Sequence, residues 1–184
     1  GVRLVGSEMC IRDRIIKEEE AAMTKLYFAY GANTDMDSMS MRCPKAKAVG
    51  KGTLWDFMLA FRRVADIIPN NNHVVEGGLW EITADCEASL DRFEGFPNFY
   101  TKQEVHVVMK GADRPVKAMA YVMNTDDMLF TPPPSSYHAT LQRGYKHFGI
   151  AYEQLAEGVE RSKCDDLPDF GEPNDDFYYD EFKL

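Results

Sequence analysis

"LYFAYGANTD", residues 26–35, runs five strand-like residues, Leu26 to Tyr30, straight into Gly31, Ala32 and Asn33. A polar, helix-like stretch follows. Glycine lets a backbone turn sharply or approach a ligand, and asparagine tolerates the left-handed region while tying down its own backbone. Together they can aim successive backbone N–H groups into one concave spot, the kind that binds a carboxylate or an oxyanion. The competing reading of the same residues is a plain tight turn.

Working outward, the chain of 184 residues is 45% hydrophobic and 12% aromatic, enough for one domain with its own core. No run approaches the ~18 consecutive apolar residues of a membrane span. Cys10, Cys43, Cys86 and Cys164 lack CxxC spacing and form neither a zinc signature nor a disulfide framework. The opening residues do not have a secretory pattern, so a cytoplasmic, reducing setting is expected. The net charge of −9 is unevenly spread: residues 1–22 hold four bases and five acids, residues 165–184 one base and eight acids, leaving −1 for the body. Nothing in that body suggests a nucleic-acid face.

"LVGSEMCIRD", residues 4–13, has no structural period. Back-translated, it resembles a sequencing adapter, so residues 1–22 are expected to be a non-native adapter-derived or disordered extension, with a natural start at Met23. Residues 23–164 form the expected domain. Residues 165–184 are expected to be an acidic, solvated tail, with aromatics such as Phe170 and Tyr178 able to dock on the body or a partner.

Within the domain, Lys25–Tyr30 predicts a first strand and 35–41 a short helix or irregular turn. A long strand is predicted over 48–61, a loop over 67–75 around Pro69 and three asparagines, and a strand over 73–82 whose Gly77–Gly78 pair signals a bulge or close backbone approach. Thr83 is the expected N-cap of a helix that closes at Gly95. Strands over 99–110 and 116–123 and helices over 135–149 and 151–162 complete the order. Several strands first and two helices last predict an α+β fold with a mixed or barrel-like sheet, without the alternation of a doubly wound one.

Four stretches in sequence carry a further signal: "YGAN" (30–33), "LDRFEG" (90–95), "AMAYV" (118–122) and "PSSYHATLQRGYKHFG" (134–149). Their order and spacing resemble the gamma-glutamylcyclotransferase-like family over roughly residues 25–155. The opening motif there is Tyr-Gly-Ser-Asn-Leu, so Ala32 and Thr34 depart from it. The resemblance implies a small mixed β-barrel with flanking helices. Its implied pocket is built from Tyr30, Gly31, Ala32, Asn33 and Glu94, with Tyr121 and Tyr137 at motif tyrosine positions. It implies an enzyme that converts a γ-glutamyl amine or peptide into 5-oxoproline and a free amine, needing no metal and no cofactor. The alternative is an inactive module that binds a γ-glutamyl or carboxylate ligand.

In that reading one carboxylate serves as base and then as acid. Glu94 sits in the last turn of its predicted helix, at the negative end of the dipole and between Phe93 and Phe96. Burial there would raise its pKa toward neutrality. A surface glutamate at a helix end is the competing reading. Tyr121 and Tyr137 can hydrogen-bond substrate or simply pack in the core, and Tyr30 can be a pocket wall or the last core residue of its strand. Arg42 can support the loop, fix a carboxylate or form a structural salt bridge. His73, His106, His138 and His147 show no metal-ligand spacing, Met36, Met39 and Met41 are expected as core or pocket lining, and Cys43 and Cys86 as inert thiols. The expected partner is a small γ-glutamyl molecule, with the chain a monomer or homodimer, and neither nucleic acid nor membrane is expected.

Overall fold

The computed structural model describes residues 24–125 and 129–163; the proposed extension and acidic tail lie outside them. Five strands close into one barrel: β1 (Lys25–Ala29), β2 (Lys47–Arg62), β3 (Val64–Ile82), β4 (Tyr100–Met109) and β5 (Val116–Met123), in spatial order β1-β3-β2-β4-β5. Neighbours run antiparallel except at the closure, where β1 meets β5 in parallel through Tyr27 and Met119. The sheet is therefore mixed, as the element order suggests. Closure leaves no free sheet edge along the barrel.

The helices follow their local signals. Helix α1 (Met36–Arg42) starts at Asp35, whose carboxylate accepts from the Ser38 N–H at 3.2 Å and the Ser38 hydroxyl at 2.8 Å. Helix α2 (Ala84–Glu94) is capped by the Thr83 hydroxyl at one end and by Gly95, left-handed at φ 65°, at the other. Helices α3 (Ser135–Phe148) and α4 (Tyr152–Arg161) pack against the barrel and the first loop. No helix among the described residues is long and apolar enough to cross a membrane.

The structure corrects two expectations. Residues 67–75 are not a loop between strands: β3 is continuous, and Ile67, Ile68 and Pro69 pair with Leu59, Met58 and Phe57. The ladder register shifts between Trp55 and Phe57, which leaves Asn70–His73 without ladder partners opposite Asp56. A long β2 supplies pairing on both sides of the polar run, which marks a bulge rather than a strand end. The methionines also divide. Met39 is core, whereas Met36 and Met41 lie at the surface, because a seven-residue helix turns only one face inward.

Gly77 and Gly78 mark close approach, not a bulge. A Cβ at Gly77 would meet the Ala29 carbonyl at 2.5 Å, and one at Gly78 would meet the Phe148 ring at 2.5 Å. Their pairing with Gly52 and Lys51 is regular. The core fills the barrel with Phe28, Leu54, Leu79, Val107 and Ala120. It extends outward to Leu90 of α2 and Leu141 and Tyr145 of α3.

Candidate active site

Strand β1 ends where the chain turns through Gly31 into a single 3-10 turn, Ala32–Thr34. The turn is closed by the Thr34 N–H on the Gly31 carbonyl at 3.0 Å and by the Thr34 hydroxyl on the same oxygen at 2.8 Å. Such a turn leaves its first amides, those of Ala32 and Asn33, without partners inside the turn. The antiparallel pairing of β1 with β3 sets Lys25 against Ile82 and Ala29 against Gly78, so α2 starts beside the beginning of β1 and its last residue, Glu94, meets the loop at the other end through Asn33.

Asn33 is buried and its amide is fully used. Its Nδ2 donates to the Tyr27 hydroxyl at 2.9 Å and to Glu94 Oε1 at 2.7 Å, while its Oδ1 accepts from Arg42 Nη1 at 2.7 Å. These bonds fix which way the amide faces, with N–H toward the carboxylate. Arg42 lies over the Phe93 ring, 3.5 Å from its centroid, so its cation is held beside the pair without a direct ion pair to Glu94. Of the readings open for Arg42, support of the loop is the one its contacts match.

Glu94 ends α2 and lines a cavity of about 650 Å³. Around it lie Tyr27, Tyr30, Gly31, Ala32, Asn33, Tyr100, Tyr121 and Tyr137, together with Arg62, Arg63 and Arg92. Burial pushes the Glu94 carboxyl up to about 7, against the lowering effects of the Asn33 hydrogen bond and the Arg42 charge. Phe93, half-exposed, lines the same cavity, whereas Phe96 does not and instead carries Lys102. The carboxyl is shielded by its place in the cavity wall.

The elevated pKa sets an expected stability profile. A folded chain that holds this proton more tightly than the unfolded chain gains most below about 4.5 and loses that gain as pH rises through about 7. Above that, the buried charge is a cost that glutamine would not carry. Glu94→Gln is therefore expected to unfold at a higher temperature than the parent at pH 8 and at about the same temperature near pH 4.5. Thermal melts across that range check it; a parent more stable than the variant at pH 8 would contradict it.

The motif tyrosines separate by role. Tyr121 is buried, and its hydroxyl donates to Asp91 Oδ1 at 2.6 Å while its carbonyl accepts from the Tyr30 hydroxyl at 2.5 Å. Lys102 bridges Asp91 and Glu87, and the Asp91 carbonyl receives the Gly95 and Phe96 N–H groups that close α2. Tyr121 and Asp91 thus anchor the turn that carries Glu94. Tyr121→Phe is expected to lower stability by about 1 kcal/mol, read as a fall in Tm; an unchanged Tm would remove the anchoring role.

Tyr137 reaches the cavity from the first turn of α3, and its hydroxyl accepts from the Ala65 N–H at 3.1 Å. Burial raises the Tyr137 hydroxyl to about 12 and moves Tyr27, Tyr30, Tyr100 and Tyr121 upward as well. All five stay protonated near neutrality. Sequence reasoning missed Tyr27 and Tyr100 as site residues. Tyr100, whose hydroxyl donates to the Ala65 carbonyl at 2.8 Å, heads the strand that reads Tyr-x-x-x-x-Val-x-Val, and that pattern was its signal. Tyr27 carried none beyond alternation along β1. Cys43 and Cys86 are buried free thiols, Cys43 pushed up to about 12 by burial, outside the range of a reactive thiolate.

The sequence model of the family "Gamma-glutamyl cyclotransferase, AIG2-like" matches residues 27–142. The chain is 27% identical over 141 residues to a gamma-glutamylcyclotransferase of Bos taurus, covering 70% of this chain and 73% of that one. It is 26% identical over 150 residues to the Homo sapiens protein of the same name, covering 73% and 78%. Among solved structures, a gamma-glutamyl cyclotransferase superposes with a TM-score of 0.65 at 25% identity, over 81% of this chain and 92% of that one.

Proposed function

This chain belongs to the gamma-glutamyl cyclotransferase, AIG2-like family, and from that premise we propose that it converts a small γ-glutamyl amine or peptide into 5-oxoproline and a free amine. The observation that carries the reading is the Glu94 carboxyl, titrating at about 7 in a cavity wall and fixed by the Asn33 amide at 2.7 Å.

The chemistry needs one proton carrier and one anion cradle. The substrate folds so that its α-nitrogen faces its own γ-carbonyl carbon. Glu94, as carboxylate, takes a proton from the α-ammonium. The freed lone pair forms the new C–N bond, and the carbonyl π pair moves onto oxygen. The amides of the Gly31–Asn33 loop are suited to hold that oxyanion or the substrate carboxylate. The leaving nitrogen takes the proton from Glu94 as the oxyanion re-forms the carbonyl and the original amide C–N bond breaks, and the second proton of the ring nitrogen then passes through the regenerated Glu94 carboxylate to the freed amine, which departs as an ammonium. Atoms and charge balance with no further reactant.

A group with a pKa near the working pH is both an adequate base and an adequate acid. Tyr30 and Tyr137 supply neutral hydroxyls to the cavity, and Ala32 offers only its backbone where the family pattern has a serine. The test is release of 5-oxoproline from γ-glutamyl amines and peptides. Turnover of at least one of them is expected. Saturable binding without turnover of any would replace the enzyme by a binding module.

A further inference from the structure

The rim of the cavity sets cations beside bare aromatic rings. Arg63, the single residue between β2 and β3, and Arg92, in the last turn of α2, are both exposed there. Arg92 donates to the Ser89 hydroxyl at 3.0 Å, and neither arginine has an acid partner among the described residues. Phe93 and Phe99 line the same cavity and remain 48% and 73% exposed. Among the described lining residues the one acid is Glu94. Large rings left in water beside guanidinium groups have the make-up of an interaction surface, where aromatic residues and arginine are enriched.

The described chain ends close to this rim. Arg161, in the last turn of α4, donates from Nη1 to the Leu59 carbonyl at 2.9 Å, and the next residue, Ser162, is buried. Leu59 lies on the strand edge that leads to Arg63. Two residues on, the Phe61 carbonyl takes the Thr131 N–H at 2.8 Å, and the Thr131 carbonyl takes the Arg63 N–H at 2.9 Å. The four residues of strand from Leu59 to Arg63 span about 13 Å. Beyond Lys163 the sequence turns acidic and aromatic: residues 175–182, DDFYYDEF, are four acids and four aromatics. Twelve positions separate Lys163 from Asp175, and a coil of that length spans roughly 20 Å. The segment therefore reaches the rim without being stretched, and its charge is opposite to that of the two arginines.

We infer that residues 175–182 bind across the cavity rim of their own chain, carboxylates on Arg63 and Arg92 and rings on Phe93 and Phe99, and so compete with whatever enters the cavity. A guanidinium suits a carboxylate in planar, paired hydrogen bonds, and aromatic pairs add to it. Each such contact at an exposed site is weak. Tethering offsets this, because a short linker holds its segment at a local concentration on the order of 1 mM. A contact of millimolar affinity is then made about half the time, which makes the segment a competitor and not a plug. The docking needs no turnover; only its kinetic readout rests on the proposed reaction.

Two-dimensional amide NMR of the full chain tests it, with a charge variant carrying Asp175→Asn, Asp176→Asn, Asp180→Asn and Glu181→Gln. The Arg63, Arg92, Phe93 and Phe99 signals are expected to differ between parent and variant. In the parent they should move toward the variant positions as salt rises from about 50 mM to about 500 mM. Arg63→Gln combined with Arg92→Gln should abolish that salt response, and a peptide of residues 175–182 added to the charge variant should restore the parent positions with a Kd on the order of 1 mM. With a γ-glutamyl substrate, the charge variant should show a KM about twofold lower at unchanged kcat. Rim signals identical in parent and variant, or changes confined to another face of the barrel, would overturn the inference. Shifts that grow with chain concentration would do so too, since the segment would then sit on a second copy. Moved signals with equal KM would overturn the competition. Moved signals with no 5-oxoproline from any substrate would sustain the docking and defeat the reaction, and turnover with unmoved signals would do the reverse.

Discussion

Glu94→Gln is expected to lower 5-oxoproline release by about a hundred- to ten-thousandfold while the fold stays intact, the loss typical of a single positioned acid–base group. Glutamine keeps an oxygen that can accept the Asn33 N–H, so the 2.7 Å contact and the cavity shape have a substitute while the exchangeable proton has none. In the proposed reaction the parent chain should also show an acid limb in kcat/KM near pH 7, because burial raises the Glu94 carboxyl to about 7 and only the carboxylate can take the first proton. Below that pH the rate should fall tenfold per unit. A variant retaining parental rates, or a parental acid limb near pH 4.5, would remove Glu94 from the reaction.

Gly144→Ala is expected to lower stability by about 3 kcal/mol, a fall in Tm on the order of 10 °C, and to disable the site with it. Gly144 lies on the buried face of α3, directly behind the first loop. A methyl there would meet the Thr34 carbonyl carbon at 2.5 Å and the Asp35 nitrogen at 2.7 Å. These are main-chain atoms, so no rotamer change relieves the clash. The loop cannot retreat freely, because Thr34 is bonded to Gly31, and Asp35 both caps α1 and accepts from Arg143 Nε at 3.1 Å. Asn33 is the neighbour of the displaced residue and holds Glu94, so substrate binding should weaken at temperatures where the variant remains folded. A melting temperature within about 2 °C of the parent would show that α3 does not seat the loop in this way.

Much of this was legible because it is local. Thr83 and Gly95 bracket α2 by capping chemistry confined to one turn at each end, and the helix appears between them. The switch from apolar β1 to Gly31 and Asn33 marks a loop for the same reason. Asn70–His73 misled because asparagines and a nearby proline carry the turn signal whether or not a partner strand spans the gap. Here β2 pairs on both sides of them. The place of Glu94 was suggested by its motif, and of the two phenylalanines that flank it in sequence only Phe93 lines its cavity. Neighbours in sequence on a helix point in different directions, and these two hold Arg42 and Lys102.

Sequence alone determined the elements, their caps, and the loop and helix end that carry the candidate chemistry, since each depends on residues within a few positions of one another. Only the closed barrel decided that Asn33 and Glu94, 61 positions apart, would share a hydrogen bond, and that the Arg63 hairpin would line the same cavity. Strand pairing is specified by contacts between distant segments, and a pKa by what surrounds a group in space; neither is present in the order of residues until the sheet closes.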